Sequence, residues 1–198
     1  MSNAHQEFET HIQALCQQGK TDDAATSVIE RYGSALLRFL VNMSPDVQTG
    51  EDVFQVVCVR VWQRLPSFQW EGSLRAWLFV VARHAFFNHR RDQQRRREDH
   101  LPDMISSIPA QLSRTITQEW RKTEVKTRLW ESIETLPPND RTLLMLRLHQ
   151  QMRWTEIARV LNSDEDPDPA LLKRSAAAAR KRFERLKGGL RERMNADS

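Results

Sequence analysis

With 198 residues, of which 39% are hydrophobic and 28% charged, the chain has room for one or two small globular units with modest cores. Its formal charge of +4 is a mild excess, so where the positive charge sits matters more than its sum. Two cysteines, Cys16 and Cys58, are too few for a disulfide framework or a zinc site, and neither a membrane-spanning apolar run nor a secretory leader is present, so a cytoplasmic protein is expected.

Six glycines and few β-type runs favour an all-α chain. Phe8, Ile12, Leu15 and Cys16 repeat at helical spacing up to Gly19. A longer helix, capped by Asp22 or Asp23, runs to about Met43 with Val28, Ile29, Tyr32, Leu36, Leu37, Phe39 and Leu40 as its apolar stripe; Ser44-Pro45 ends it. The stretch Val53 to Trp62 is rich in β-branched residues, yet Phe54, Val57, Cys58, Val61, Trp62 and Leu65 keep a helical period beyond strand length. It is read as a helix, with Thr49 and Asp52 as the capping pair and Pro66 as the stop. Val53, Val56 and Val59 fall off that stripe, so a second apolar face needs covering, either by the same domain or by a partner.

After the loop Phe68 to Gly72, Ser73 is expected to cap a helix with Leu74, Trp77, Leu78, Val81, Ala82 and Ala85 inside. Its second half carries Arg83, His84, Asn88, His89, Arg90, Arg91, Arg95, Arg96 and Arg97 against Asp92, a stripe suited to phosphates. Phe68, Trp70, Phe86 and Phe87 are either core residues or stacking faces for unpaired bases. From Glu98 to Gln118 the periodicity lapses, as in an interdomain linker; some twenty extended residues reach up to about 65 Å. A helix from about Glu119 to Leu136 stops at Pro137-Pro138, and Asn139 or Asp140 caps the next, which carries Leu143, Leu144, Leu146 and Leu148. Trp154 to Leu161, an acidic Pro-broken turn, and a basic helix opening near Ala170 then read as a helix-turn-helix. Lys173, Arg174, Arg180, Lys181, Arg182, Arg185 and Lys187 face one acid, Glu184. Such a helix could be merely solvated, with Leu172, Phe183, Leu186 and Leu190 buried; the partner helix with its small Ala158 favours DNA.

In this order the parts resemble the extracytoplasmic-function sigma factors of bacterial RNA polymerase, which keep regions two and four. The resemblance rests on ERYGSALLRFL at Glu30 to Leu40, EDVFQVVCVRVWQRLPSF at Glu51 to Phe68 and GSLRAWLFVVARHAFFNHRR at Gly72 to Arg91. In the C-terminal half it rests on LPPNDRTLLMLRL at Leu136 to Leu148, TEIARVL at Thr155 to Leu161 and LLKRSAAAARKRFERL at Leu171 to Leu186. It implies two small helical bundles: a region-two-like domain over 1–98, a linker over 99–118 and a region-four-like helix-turn-helix domain over 119–198.

By that resemblance the protein binds core polymerase, directs it to promoters and assists melting, with no catalysis and no cofactor of its own. Asp52, Val53, Gln55, Val56, Val59 and Arg60 would meet the polymerase, although Val56 stands where relatives carry an acid. Phe68, Gln69, Trp70, Arg75, Arg83, His84, Asn88, Arg90 and Arg91 would hold the opened minus-ten element, where base flipping needs a pocket and stacking surfaces. Lys173, Arg174, Ser175, Ala178, Arg180, Lys181 and Arg182 would read the minus-thirty-five element in the major groove. An anti-sigma factor is a further possible partner. The chain departs from its relatives in a lengthened acidic turn, Asp164 to Pro169, and in Gln151 where a Gly is usual. The competing readings are an autonomous helix-turn-helix repressor and, more remotely, a hydrolase built on Glu51 and Asp52 or on His84 and His89. No phosphate loop, HExxH pair or nucleophile elbow accompanies those residues.

Overall fold

A spacing of three and four residues between Ala24, Val28, Tyr32, Leu36, Phe39, Leu40 and Met43 puts all seven on one side of a helix, and all are buried. They line α2 (Thr21–Met43), the central element of the N-terminal lobe in the computed structural model, which describes residues 2–70, 72–98, 132–162 and 168–196. Against α2 pack α1 (Ser2–Gln17), α3 (Val47–Arg64) and α4 (Leu74–Glu98), with a short 3-10 turn, Leu65–Ser67, between the last two. Among the described residues every regular element is helical, as the periodicity predicts.

Two caps differ from expectation. Lys20 precedes α2 without capping it, and Asp22 and Asp23 lie inside its first turn, where carboxylates favour the helix dipole. For α3 the cap is Asp46, whose carboxylate accepts the Thr49 N–H at 2.7 Å and the Thr49 hydroxyl at 3.0 Å. The helix therefore opens a turn earlier than Thr49 and carries Gly50 in its interior. There α3 crosses α2 so closely that a methyl group on Gly50 would stand 2.6 Å from the Val41 Cα. This close crossing turns Gly50, Val53, Val57 and Val61 inward, on i, i+3 and i+4 spacings.

The C-terminal lobe contains α5 (Pro138–Leu144), a π-type turn Met145–His149, α6 (Trp154–Asn162) and α7 (Pro169–Ala196). Pro137 and Pro138 begin α5 instead of merely stopping a preceding helix: Pro138 occupies the first turn, where no N–H is needed, and Asp140 and Arg141 donate their N–H groups to the Pro137 carbonyl. Leu143, Leu144 and Leu146 are buried, but the wider π turn swings Leu148 out to solvent. Most of the helix expected over 119–136, the linker over 99–118 and the acidic turn over 163–167 lie outside the described residues.

The lobes touch. Helix α4 packs on α6 and α2 on α5, and one cluster of buried side chains runs from Leu36 and Phe79 through to Leu143 and Ile157. Polar ties reinforce it: Arg141 Nη1 donates to the Met43 carbonyl at 3.3 Å, adding a cation at the C-terminal end of α2, and the buried Thr142 hydroxyl, satisfied by the Pro138 carbonyl at 2.8 Å, also lies 3.8 Å from Met43 Sδ.

Candidate nucleic-acid interface

Helix α6 is held at both of its ends. Glu156 accepts the Arg153 N–H at 2.9 Å and so caps α6, while Asn162 Nδ2 donates to the Ser175 hydroxyl at 3.0 Å and ties the end of α6 to α7. Ile157, Ala158 and Val160 bury against Ala176, Ala179 and Phe183. The Trp154 indole meets Phe183 edge-on at 5.5 Å, and the Arg147 guanidinium lies 4.5 Å over the same indole. Asp168 caps α7, with its side chain near the Ala170 and Leu171 N–H groups at 3.4 and 3.3 Å. The small residues of the Ala176 to Ala179 run thus divide: Ala176 and Ala179 give the close crossing, and Ala177 and Ala178 face out.

Locked in this way, α7 presents Lys173, Arg174, Ala178, Arg180 and Lys181 to solvent. Ser175 is half-buried beneath Asn162. Arg182 departs from the sequence reading, because its Nε bonds the buried Asp140 carboxylate of α5 within the lobe. In the structure it ties α7 to α5. Arg182→Ala is expected to lower stability by about 1–2 kcal/mol, discounted for its partial exposure, since Asp140 is left without its cation. Arg180→Ala should be nearly neutral in the same thermal melt, its side chain being exposed.

In the N-terminal lobe the loop before α4 carries an aromatic ladder. Trp70 meets Phe68 at 5.0 Å, and Phe68 in turn meets Trp77, one turn inside α4, at 5.1 Å. Trp70 and Phe68 are half-buried, Gln69 is exposed, and Trp70 has a φ of +59°, a left-handed conformation that a bulky residue adopts only under tertiary constraint. Along α4, Arg90 and Arg91 are exposed, His84 and Asn88 are half-buried, and Asn88 accepts from Arg91 Nη2 at 2.6 Å. Phe86 is buried in the core, and Phe87 packs against it.

Two of the expected minus-ten contacts are taken up by the other lobe. Arg83 is only 8% exposed; its Nη2 donates to Asn139 Oδ1 at 2.8 Å, its guanidinium lies 4.8 Å over Phe87, and burial pulls its pKa below the usual arginine value. Arg75 Nη2 donates to the Gln150 carbonyl. The helical period places Arg83 on the basic stripe, but here α5 covers it and Asn139 takes up its guanidinium.

On α3, Val53 is fully buried rather than on the outer face the sequence pattern gives it. Val56 and Val59 are 42% and 53% exposed, Gln55 is exposed, and Asp52, half-buried with Arg60, accepts from Gln48 Nε2 at 2.9 Å. Trp62, which periodicity assigns to the core stripe, is instead 52% exposed, its indole N–H donating to Asp22 at 2.6 Å. Val56, Val59 and Trp62 therefore form an apolar outer stripe at i, i+3 and i+6. The angular offset of Trp62 from Val61 was the available signal.

Among the described residues no three His, Cys, Asp or Glu side chains converge as a metal site would need, and burial pushes the Cys58 thiol up to about 11, far from a reactive thiolate.

Two helical lobes, one of them with a helix-turn-helix and outward cations and the other with an exposed apolar stripe, make up the described residues. Residues 28–96 match the sigma-70 region 2 family. The chain is 28% identical to RNA polymerase sigma factor YlaC of Bacillus subtilis, over 72% of this chain and 82% of that protein. It is 26% identical to the extracytoplasmic-function sigma factor SigM of the same organism, over 70% and 82%. Among solved structures, CnrH in complex with the cytosolic domain of CnrY shares the fold, with a TM-score of 0.65 over 96% of this chain and 99% of that one at 20% identity. The sigma factor RpoE in complex with the anti-sigma factor NepR, from Bartonella quintana, gives 0.54 over 82% and 96%, also at 20%. Residues 28–96 thus carry a sigma-70 region 2, and the chain is similar over most of its length to sigma factors, among them one of the extracytoplasmic-function group.

Proposed function

We propose that the chain joins core RNA polymerase through the outer stripe of α3, reads the minus-thirty-five element with α7, and holds the opened minus-ten strand on the loop before α4. The observation that carries this reading is the pairing of an exposed apolar stripe on one lobe with an exposed basic helix face, rigidly set by its helix-turn-helix, on the other. Trp70, Phe68 and Trp77 offer stacking surface for flipped bases, and Arg90 and Arg91 offer phosphate contacts about 20 Å further along the same helix. The lobes have to part before Arg75 and Arg83 can join them, because both are bonded to the C-terminal lobe. A partner that holds the lobes together would keep the factor silent, and the complexes in which CnrH and RpoE are found make an anti-sigma factor the natural occupant of that role.

The test of the polymerase surface is Val56→Asp with Val59→Asp. Both side chains are exposed, so the melt should shift little, whereas a charge placed in an apolar contact should weaken core binding by at least about tenfold in a co-elution titration. Unchanged binding would remove α3 as the docking element. A factor that gel-shifts promoter duplex tightly without polymerase would favour an autonomous regulator.

A further inference from the structure

The first turn of α4 has N–H groups to satisfy, and its own sequence serves only some of them. Ser73 does half the work: its hydroxyl accepts from Ala76 N–H at 3.3 Å and its carbonyl from Trp77 N–H at 3.1 Å. The Leu74 donor is met from another helix: Glu9 of α1 accepts its N–H at 2.9 Å, and the Arg75 N–H beside it favours the charged form of the same carboxylate. This cap reaches across 65 residues and comes from outside the region 28–96 that matches the family. A carboxylate at a helix N-terminus is favoured by the dipole as well as by the bonds.

Glu9 is not free to swing. Its neighbour Phe8 meets the Tyr32 ring edge-on at 5.9 Å beneath the Arg31 guanidinium, and Ile12, one turn on, is fully buried against the core. Burial raises the Glu9 pKa, with Glu156 pushing the same way, while the backbone N–H groups of Leu74 and Arg75 and the Arg153 charge pull it down. A half-buried acid held against that penalty is a specific arrangement, and what it holds is the element on which the aromatic loop rests: Phe68 leans on Trp77 in the same first turn of α4.

We infer that Glu9 is a positioning residue for strand opening: by capping α4 from α1 it sets the first turn against which Phe68 and Trp70 are stacked. This rests on the reading of that loop as the minus-ten site. The experiment uses the full chain with core polymerase, comparing Glu9→Ala and Glu9→Gln on a fully duplex promoter and on one mismatched across the minus-ten element. Glu9→Ala should open the duplex promoter about tenfold more slowly, bind core as the parent does, and recover on the mismatched template. Glu9→Gln, which keeps an acceptor oxygen, should restore most of the opening rate. Equal loss on both templates would mark a merely structural cap, and an unchanged opening rate would also overturn the inference. Amide exchange gives a readout that needs no polymerase: the Leu74 and Arg75 N–H groups should be protected in the parent and in Glu9→Gln and exposed in Glu9→Ala. Protection that persists in Glu9→Ala would show that Glu9 is not the cap. Should the parent itself fail to engage core polymerase, the functional reading falls while the exchange result still decides the cap.

Discussion

Replacing Lys173 and Arg174 together by alanine is expected to weaken minus-thirty-five duplex binding by the polymerase-bound factor between about ten- and a hundredfold, and to flatten the salt dependence of that binding. Both side chains are exposed in the first turns of α7, the part of a recognition helix that meets base edges. Neither is seen to hold the fold: α7 is fixed through Ala176, Ala179, Phe183 and the Asn162 to Ser175 bond, so the double variant should melt as the parent does. Asp168 sits one turn earlier as the cap, and its charge near phosphates makes the cations that follow more necessary. Phe68→Ala with Trp70→Ala should show the opposite pattern, impairing opening with little effect on duplex binding. Equal losses from both pairs in both assays would contradict the division of labour between the lobes.

Gly50→Ala should cost about 3 kcal/mol and lower the thermal midpoint by roughly 10 °C or more. The added methyl would stand 2.6 Å from the Val41 Cα and 2.9 Å from the Val41 nitrogen. These are main-chain atoms, so no side chain can rotate out of the way, and α2 and α3 have to separate along the face that buries Val53, Val57 and Val61. The gain of about 1 kcal/mol that alanine brings to an open helix position does not offset this. Gly188→Ala and Gly189→Ala supply the contrast: both lie in α7 with nothing within 4 Å of the added atom, so each should leave the melt unchanged or raise it. A Gly50→Ala protein as stable as the parent would mean that the crossing is looser than described.

Helices, and the side of each that faces inward, were largely legible because burial imposes a period on the apolar residues. The stripe of α2, the Ser73 cap of α4 and the pairing of α6 with α7 follow from that period alone. Val53 and Trp62 were assigned to the wrong faces because apolar residues occupy most of the circumference of α3, and the close approach at Gly50, which sets the face turned to α2, leaves no trace in a hydrophobic pattern. The fate of the arginines was less legible still. A sequence shows that Arg75, Arg83 and Arg182 lie on basic helices, but not that Gln150, Asn139 and Asp140, from 42 to 75 residues away, take up their guanidinium groups. Glu9 illustrates the same limit from the other side, since a cap supplied by a separate helix has no spacing rule.

The most direct test adds the purified chain to core polymerase and asks for co-elution and for promoter-specific run-off transcription. The account predicts a complex that starts transcription at defined sites, with the Val56→Asp, Val59→Asp variant lost from it and the Lys173→Ala, Arg174→Ala variant retained in it but unable to start from promoters that depend on the minus-thirty-five element. A chain that never joins core polymerase, yet binds duplex DNA tightly alone, would contradict it.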